Sequence, residues 1–85
     1  MNYFVLSNVN YSNKPLNLDF GVNTKSEIKE KVYQAFRQQT ERAKRLGFRI
    51  ERSYIDKQSR VWNVLVKGDK TVKLVVCNDK NRGLL

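Results

Sequence analysis

Basic side chains are the residues of this sequence best suited to bind another molecule. The chain has seventeen Lys and Arg, eight Asp and Glu and no His, which gives a formal net charge of +9 and a pI near 10.0. Lys and Arg displace the counterions that condense on nucleic-acid phosphates, and this attraction needs no particular geometry. The composition therefore favours a polyanionic partner, with nucleic acid as the first candidate, although the same charge also serves solubility.

The basic residues fall mainly in a predicted helix and in the predicted strands that follow it. The best candidate for an anion-binding site is formed by Arg42, Arg45 and Arg49. They flank the predicted helix end at Gly47, so we expect them to lie close in space. Basic residues at a helix C-terminus also offset the helix dipole, so a purely structural role is equally well supported. The candidate phosphate contacts are Arg37, Arg42, Lys44, Arg45, Arg49, Arg52, Lys57, Arg60, Lys67 and Lys73.

The sequence contains no recognisable catalytic combination of residues. Without His, the Ser-His-Asp, Cys-His and His-metal arrangements are excluded together. Cys77 follows Val75 and Val76 in an apolar run, where a lone cysteine usually serves as a small apolar filler. Asp56 and Asp69 have the positions of turn formers. We therefore expect a binding protein that is not an enzyme and that needs no metal or cofactor.

A metal-free ribonuclease is the enzymatic alternative, since Lys, Arg, Tyr and one carboxylate can suffice for that chemistry. Arg49, Glu51, Lys67 and Lys73 are expected on one sheet face, but their spacing does not distinguish a catalytic site from a solvated surface.

The first half of the chain predicts two strands and a helix. Residues 3–9 are apolar on both alternating faces, which indicates a strand buried on both sides, and residues 16–22 alternate apolar with polar. Thr24 and Glu27 have capping-box spacing, which predicts a helix over 25–46 that stops at Gly47. Its predicted buried stripe consists of Ile28, Val32, Ala35, Phe36, Gln39, Ala43 and Leu46.

The second half predicts an antiparallel meander of strands at 48–55, 61–66 and 71–77. If loops 56–60 and 68–70 each hold an odd number of residues, most apolar positions share one face. A two-residue turn at Gly68-Asp69 would instead pair Val64 with Lys73 and divide the apolar residues, so we favour the longer loop. The resulting helix-side face holds Phe48, Ile50, Tyr54, Trp62, Val64, Val66, Val72, Leu74 and Val76, and the half-polar face holds Ile55, Val61, Leu65 and Val75.

The predicted register also determines where the aromatic side chains lie. Trp62 and Tyr54 could stack on bases, but the register points them toward the helix, so core packing is the better interpretation. Tyr11 and Tyr33 are then the better candidates for surface aromatics.

These elements predict one α+β domain of order ββαβββ, spanning residues 1–85, with one long helix packed on an antiparallel or mixed sheet and a loose tail at 79–85. The short apolar N-terminal run ends at Ser7, no stretch reaches membrane-spanning length, and a lone Cys does not suggest an oxidising compartment, so we expect a cytoplasmic protein with no membrane partner.

The leading functional hypothesis is a small nucleic-acid-binding protein that contacts backbone phosphates without catalysis. The alternative is a protein-interaction module or inhibitor, of the kind that phages and mobile elements encode, whose basic surface docks on an acidic partner. Its half-polar sheet face would also suit a homodimer. The sequence does not distinguish DNA from RNA.

Overall fold

The computed structural model describes residues 1–11, 14–18 and 24–82, with side chains for 1–7 and 24–82. One helix packs on an antiparallel sheet, which confirms the predicted α+β class. A short strand that the sequence did not predict, Thr24–Ser26, precedes the helix. The elements are β1 (Tyr3–Tyr11), β2 (Lys14–Leu18), β3 (Thr24–Ser26), α1 (Lys29–Arg45), β4 (Arg49–Ile55), β5 (Val61–Lys67) and β6 (Lys70–Asn78).

The sheet has the strand order β2-β1-β6-β5-β4, and β3 pairs with β1 beside β2. β1 therefore lies in the interior of the sheet, with Val5 (0% exposed) on the helix side and Phe4 (6%) on the other. This confirms the prediction of a strand buried on both faces. Of the second predicted strand, 16–22, residues 19–22 lie outside the described residues.

The helix begins later than the capping box predicted. Residues 24–26 pair with β1, with Thr24 opposite Val5, so their backbone groups are satisfied in the sheet and the box does not form. The Ser26 hydroxyl instead accepts a hydrogen bond from the Ile28 backbone N–H at 3.0 Å. The first helical residue is Lys29, and Ile28, which we expected in the core, is 52% exposed.

The buried face of α1 confirms the centre of the predicted stripe and corrects its ends. Val32, Phe36 and Ala43 are buried, whereas Leu46 is 48% exposed. Thr40 joins them, although its polar side chain gave no such indication. Its hydroxyl donates to the Phe36 carbonyl oxygen at 2.8 Å and accepts from Asn63 Nδ2 at 3.0 Å, so the buried hydroxyl is satisfied.

The helix stops just before Gly47, as predicted, and Gly47 has a φ of 95° that favours glycine. The Phe48 N–H bonds the Ala43 carbonyl oxygen at 3.1 Å, and the Gly47 N–H bonds that of Lys44 at 3.0 Å. This pair of bonds is the Schellman motif, which satisfies carbonyl groups left without partners at the helix end.

The predicted register of the meander is wrong at the β5–β6 turn. Lys67 pairs with Lys70 and Val64 with Lys73, so Gly68 and Asp69 form a two-residue turn. Gly68 has a φ of 59°, and a glycine with positive φ at the first loop position suits the strand twist of a two-residue hairpin. The apolar residues are consequently divided between both sheet faces. Leu65, Val72, Leu74 and Val76 pack in the helix-side cluster, and Trp62, Val64, Val66 and Val75 lie on the opposite face.

A bulge between Ile50 and Arg52 changes the register of β4 as well. Ile50 pairs with Leu65 and so shares the helix side, whereas Tyr54 pairs with Trp62 on the opposite side. The predicted half-polar docking face is therefore absent, because Leu65 (0% exposed) is in the core and Val75 is on the other side of the sheet.

The C-terminal segment that we expected to be loose is tied to the sheet as far as Arg82. Asn81 is 7% exposed; its side chain accepts from the Asn78 N–H at 2.8 Å and donates to the Gln58 carbonyl oxygen at 2.9 Å. Residues 83–85 lie outside the described part. In the described residues, no helix has the length and apolar character needed to cross a membrane.

Candidate nucleic-acid interface

The sheet face opposite α1 places cations beside aromatic rings. The register sets residues in rows across β4, β5 and β6. One row is Tyr54, Trp62 and Val75, the next is Arg52, Val64 and Lys73, and the third is Arg49, Val66 and Thr71. We call the basic and aromatic residues of this surface the aromatic-basic face. It consists of the exposed Arg49, Arg52 and Tyr54 and the partly buried Arg60, Trp62 and Lys73.

At one end of this face two rings and two guanidinium groups contact one another in series, and we call these four side chains the stack. The Tyr54 and Trp62 rings are nearly parallel, with an interplanar angle of 9° and centroids 6.1 Å apart. Arg52 Cζ lies 4.9 Å from the Tyr54 centroid, and Arg60 Cζ lies 5.9 Å from the Trp62 centroid. Cations at these distances from a ring are attracted to its negative face. The stack therefore has the order Arg52, Tyr54, Trp62, Arg60.

Asp56 holds the Trp62–Arg60 end of the stack in place. Its Oδ2 accepts from Trp62 Nε1 at 2.8 Å and from Arg60 Nε at 2.6 Å. Its Oδ1 accepts from the backbone N–H groups of Gln58 at 2.8 Å and Arg60 at 3.0 Å. Asp56 is thus the turn former that the sequence predicted, and it also fixes the orientation of the indole ring.

These hydrogen bonds keep Asp56 ionised. Partial burial by itself raises the pKa of the carboxyl, but the hydrogen bonds from Trp62, Arg60 and Gln58 outweigh it and hold the pKa well below its usual range. Arg60 and Asp56 are 12% and 17% exposed in their side chains, so their charges largely compensate each other. The uncompensated charge of the face therefore comes from its other cations.

Those other cations are Arg49, Arg52 and Lys73. No ion pair between described residues involves any of these three cations. Glu51 is an exposed carboxylate at the bulge between Arg49 and Arg52. The face is therefore predominantly positive.

The helix carries four of the predicted contacts, on the opposite side of the sheet. Arg37 is exposed, Lys44 pairs with Glu41 at 3.3 Å, and Arg42 and Arg45 line one surface depression. The register places Arg49 on the side of the sheet away from this helix. The predicted phosphate contacts are consequently distributed over two sides of the sheet.

Lys67 and Lys57 lie apart from both groups. Lys67 Nζ donates to the Leu46 carbonyl oxygen at 2.7 Å and lies 6.0 Å from the Phe48 ring, so it supports the C-terminal end of α1. Lys57 is exposed in the turn between β4 and β5. Because Lys67 is on the helix side and Lys73 on the other, the residues considered for a metal-free ribonuclease do not share a face.

The aromatic residues are distributed differently from the sequence prediction. Tyr54 is 37% exposed and Trp62 is half-buried, and both face away from the helix that we expected to cover them. Tyr33, expected at the surface, packs against the core and meets the Phe36 ring edge-on at 6.4 Å. The side chain of Tyr11 lies outside the described residues. The Gly68-Asp69 turn was the sequence signal that would have placed Trp62 correctly.

Cys77 is a buried thiol on the same sheet face as Trp62. Its burial raises the pKa of the thiol, and the nearby Arg82 and Arg60 lower it by less, so the group stays protonated near neutral pH. Within the described residues, no three Cys, Asp or Glu side chains gather into a metal-ligand set. The groups that the aromatic-basic face offers to another molecule are cations and aromatic rings.

No protein-family model matches the chain, and the comparisons with curated proteins and with solved structures find no match either.

Proposed function

We propose that this protein binds nucleic acid by contacting backbone phosphates, without catalysis, and that the aromatic-basic face is its binding surface. The observation that carries the proposal is the presence of Arg49, Arg52 and Lys73, none of them in an ion pair among the described residues, on one sheet face beside the exposed Tyr54 ring and the half-buried Trp62 ring. The net charge of +9 supports the same class of partner.

The sheet fixes the spacing of the charges. Neighbouring strands lie about 4.8 Å apart, so Arg52 on β4 and Lys73 on β6, in one row, are separated by about 10 Å at their backbones. Long, flexible Arg and Lys stems allow both cations to follow a strand of phosphates across the sheet. Each contact releases condensed counterions, so affinity should fall log-linearly with salt concentration.

The test is a salt titration of binding to mixed-sequence single-stranded and duplex oligonucleotides with two charge-matched variants. The first combines Arg49→Gln, Arg52→Gln and Lys73→Gln, and the second combines Arg37→Gln, Arg42→Gln and Arg45→Gln on the helix. We expect the sheet variant to reduce the salt slope by up to about 2 for single strands, from ~0.7 per phosphate contact. The helix variant should leave the slope near that of the wild type.

Two outcomes would count against the proposal. If wild-type protein binds neither nucleic acid at ~50 mM salt, nucleic-acid binding itself is refuted. If the helix variant loses the slope and the sheet variant keeps it, the protein binds phosphates through α1 and the aromatic-basic face is not the surface.

An interaction module is the second candidate, favoured by strand β4. Every residue of this edge strand is exposed, including Ile55 at 70% and Ile50 at 39%, and an exposed strand edge can pair with another chain. The flanking Arg49 and Arg52 would suit an acidic partner. Self-pairing would give a homodimer through the β4 edge, not through the sheet face considered from the sequence. Sedimentation of wild type and of Ile55→Lys measures this, since self-pairing predicts a dimer that the substitution weakens.

A further inference from the structure

We propose that the aromatic-basic face takes single-stranded nucleic acid, with a base stacked on Tyr54 beside Trp62. This inference rests on the proposed function, and it specifies the form of nucleic acid and the residue that selects it. The observations that carry it are the parallel pair of rings and the exposure of Tyr54 on the edge strand.

The exposed ring distinguishes single strands from duplexes. Bases in a duplex are stacked on each other and paired, so their flat faces are not available to a protein side chain. Unpaired bases can turn outward and stack on an aromatic ring, whatever their sequence, because every base has a π face. Tyr54 is 37% exposed on the outermost strand β4, where a base approaches from beyond the sheet edge without opening the core.

Arg52 links stacking to phosphate contact. Its guanidinium lies 4.9 Å from the Tyr54 centroid and covers the ring in the free protein. Arg52 is itself exposed, so an incoming base can replace the guanidinium on the ring while the charge moves to the adjoining phosphate. The ring then keeps a flat partner and the cation gains a full negative charge.

Trp62 supplies a fixed second ring. Asp56 holds the indole N–H at 2.8 Å, and Arg60 packs over the indole ring. A side chain that is already ordered loses little conformational entropy when a ligand binds, which favours affinity. Lys73 and Arg49 lie in the next two rows of the sheet, where they can contact phosphates to one side of the stacked base.

The experiment uses Trp62, the single tryptophan of the chain, as an internal reporter. Wild-type protein is titrated with a 15-nucleotide oligothymidine and with a duplex containing the same number of phosphates, at the same salt concentration. We expect tighter binding of the single strand, and quenching of tryptophan fluorescence by the single strand that the duplex does not reproduce.

Variants at adjacent positions of β4 isolate the ring. Tyr54→Ala should weaken single-strand binding about 5- to 150-fold, the range for loss of one base–aromatic stack, and leave duplex binding nearly unchanged. Tyr54→Phe keeps the ring and should bind like the wild type, whereas Tyr54→Leu keeps apolar bulk and should not. Ile55→Ala is the matched control, because Ile55 is exposed on the same strand and points to the other side of the sheet.

The outcomes separate this inference from the proposed function. If wild-type protein binds neither oligonucleotide, the proposed function fails. If it binds both, but Tyr54→Ala and Tyr54→Leu weaken single-strand and duplex binding equally or not at all, phosphate binding stands and the stacking inference is overturned. A wild-type fluorescence signal unchanged by saturating single strand would overturn it without any variant.

Discussion

Replacing Gly68 with alanine tests the turn that determines which residues reach the aromatic-basic face. A Cβ atom at this position would have no heavy atom within 4 Å, so the substitution introduces no clash with its surroundings. Its cost comes from the φ of 59°, a left-handed conformation that costs a residue with a Cβ about 1–2 kcal/mol. Gly68→Ala should therefore lower the free energy of unfolding by that amount, and Gly68→Asn by less, since Asn tolerates this region better.

Urea unfolding followed by Trp62 fluorescence measures the change. With a urea dependence of roughly 1 kcal/mol per molar, the midpoint of Gly68→Ala should fall by about 1 M or more. Asp69→Ala is the matched control, because Asp69 shares the turn without a positive φ and a surface change of this kind stays within about 0.5 kcal/mol. If Gly68→Ala and Asp69→Ala are equally stable, the turn does not have the two-residue form, and the placement of Trp62 opposite the helix is refuted.

The remaining predictions concern the core and Asp56. Phe36→Ala should lower the free energy of unfolding by about 3–5 kcal/mol in the same urea assay, because Phe36 is 6% exposed in the main cluster. Its exposed neighbour provides the control Arg37→Ala, and a loss below about 1 kcal/mol for Phe36→Ala would place that ring outside the core. The lowered pKa of Asp56 means that its carboxylate stabilises the fold fully above the unfolded pKa near 3.9. This contribution is lost progressively as pH falls from that value toward the lower pKa of the folded state. Thermal unfolding should show wild type more stable than Asp56→Asn at pH 7 and the difference shrinking toward pH 2; a constant difference would contradict the role of the carboxylate.

The sequence predicted element types well because each carries its own periodic pattern. β1, the centre of α1 and the three meander strands all lie where alternation or helical spacing indicated. The register was not predictable by the same means, because β5 has apolar residues at both odd and even positions, as Trp62, Val64 and Leu65 show. A strand that is apolar on both faces gives no preference for one pairing over the next. The Gly68-Asp69 pair, which is typical of a two-residue turn, was therefore better evidence for the register than the alternation of apolar residues. Choosing the alternation gave the wrong register.

The start of the helix shows a second kind of limit on local patterns. Thr24 and Glu27 have the spacing of a capping box, but pairing of Thr24 with Val5 across the sheet satisfies that backbone instead. Thr40 is likewise satisfied in the core by a distant residue, because Asn63 on β5 donates a hydrogen bond to its hydroxyl. The cation positions were visible in the sequence, yet their division between the helix side and the aromatic-basic face depends on register and bulge, which are properties of the whole sheet.

The pairing of β1 with β6 has a consequence for how the chain folds. These two neighbouring strands of the sheet come from opposite ends of the sequence, and the Asn2 N–H bonds Asp79 Oδ2 at 2.7 Å across a separation of 77 positions. Contacts between such distant segments form slowly, because the intervening chain must be brought together before any of them stabilises it. During synthesis, the β4–β5–β6 meander and α1 can form locally, but β1 has to wait for β6, which is made last of the six strands. A ribosome-stalled chain that ends before β6 should consequently leave the apolar residues of β1 exposed to chaperones and proteases.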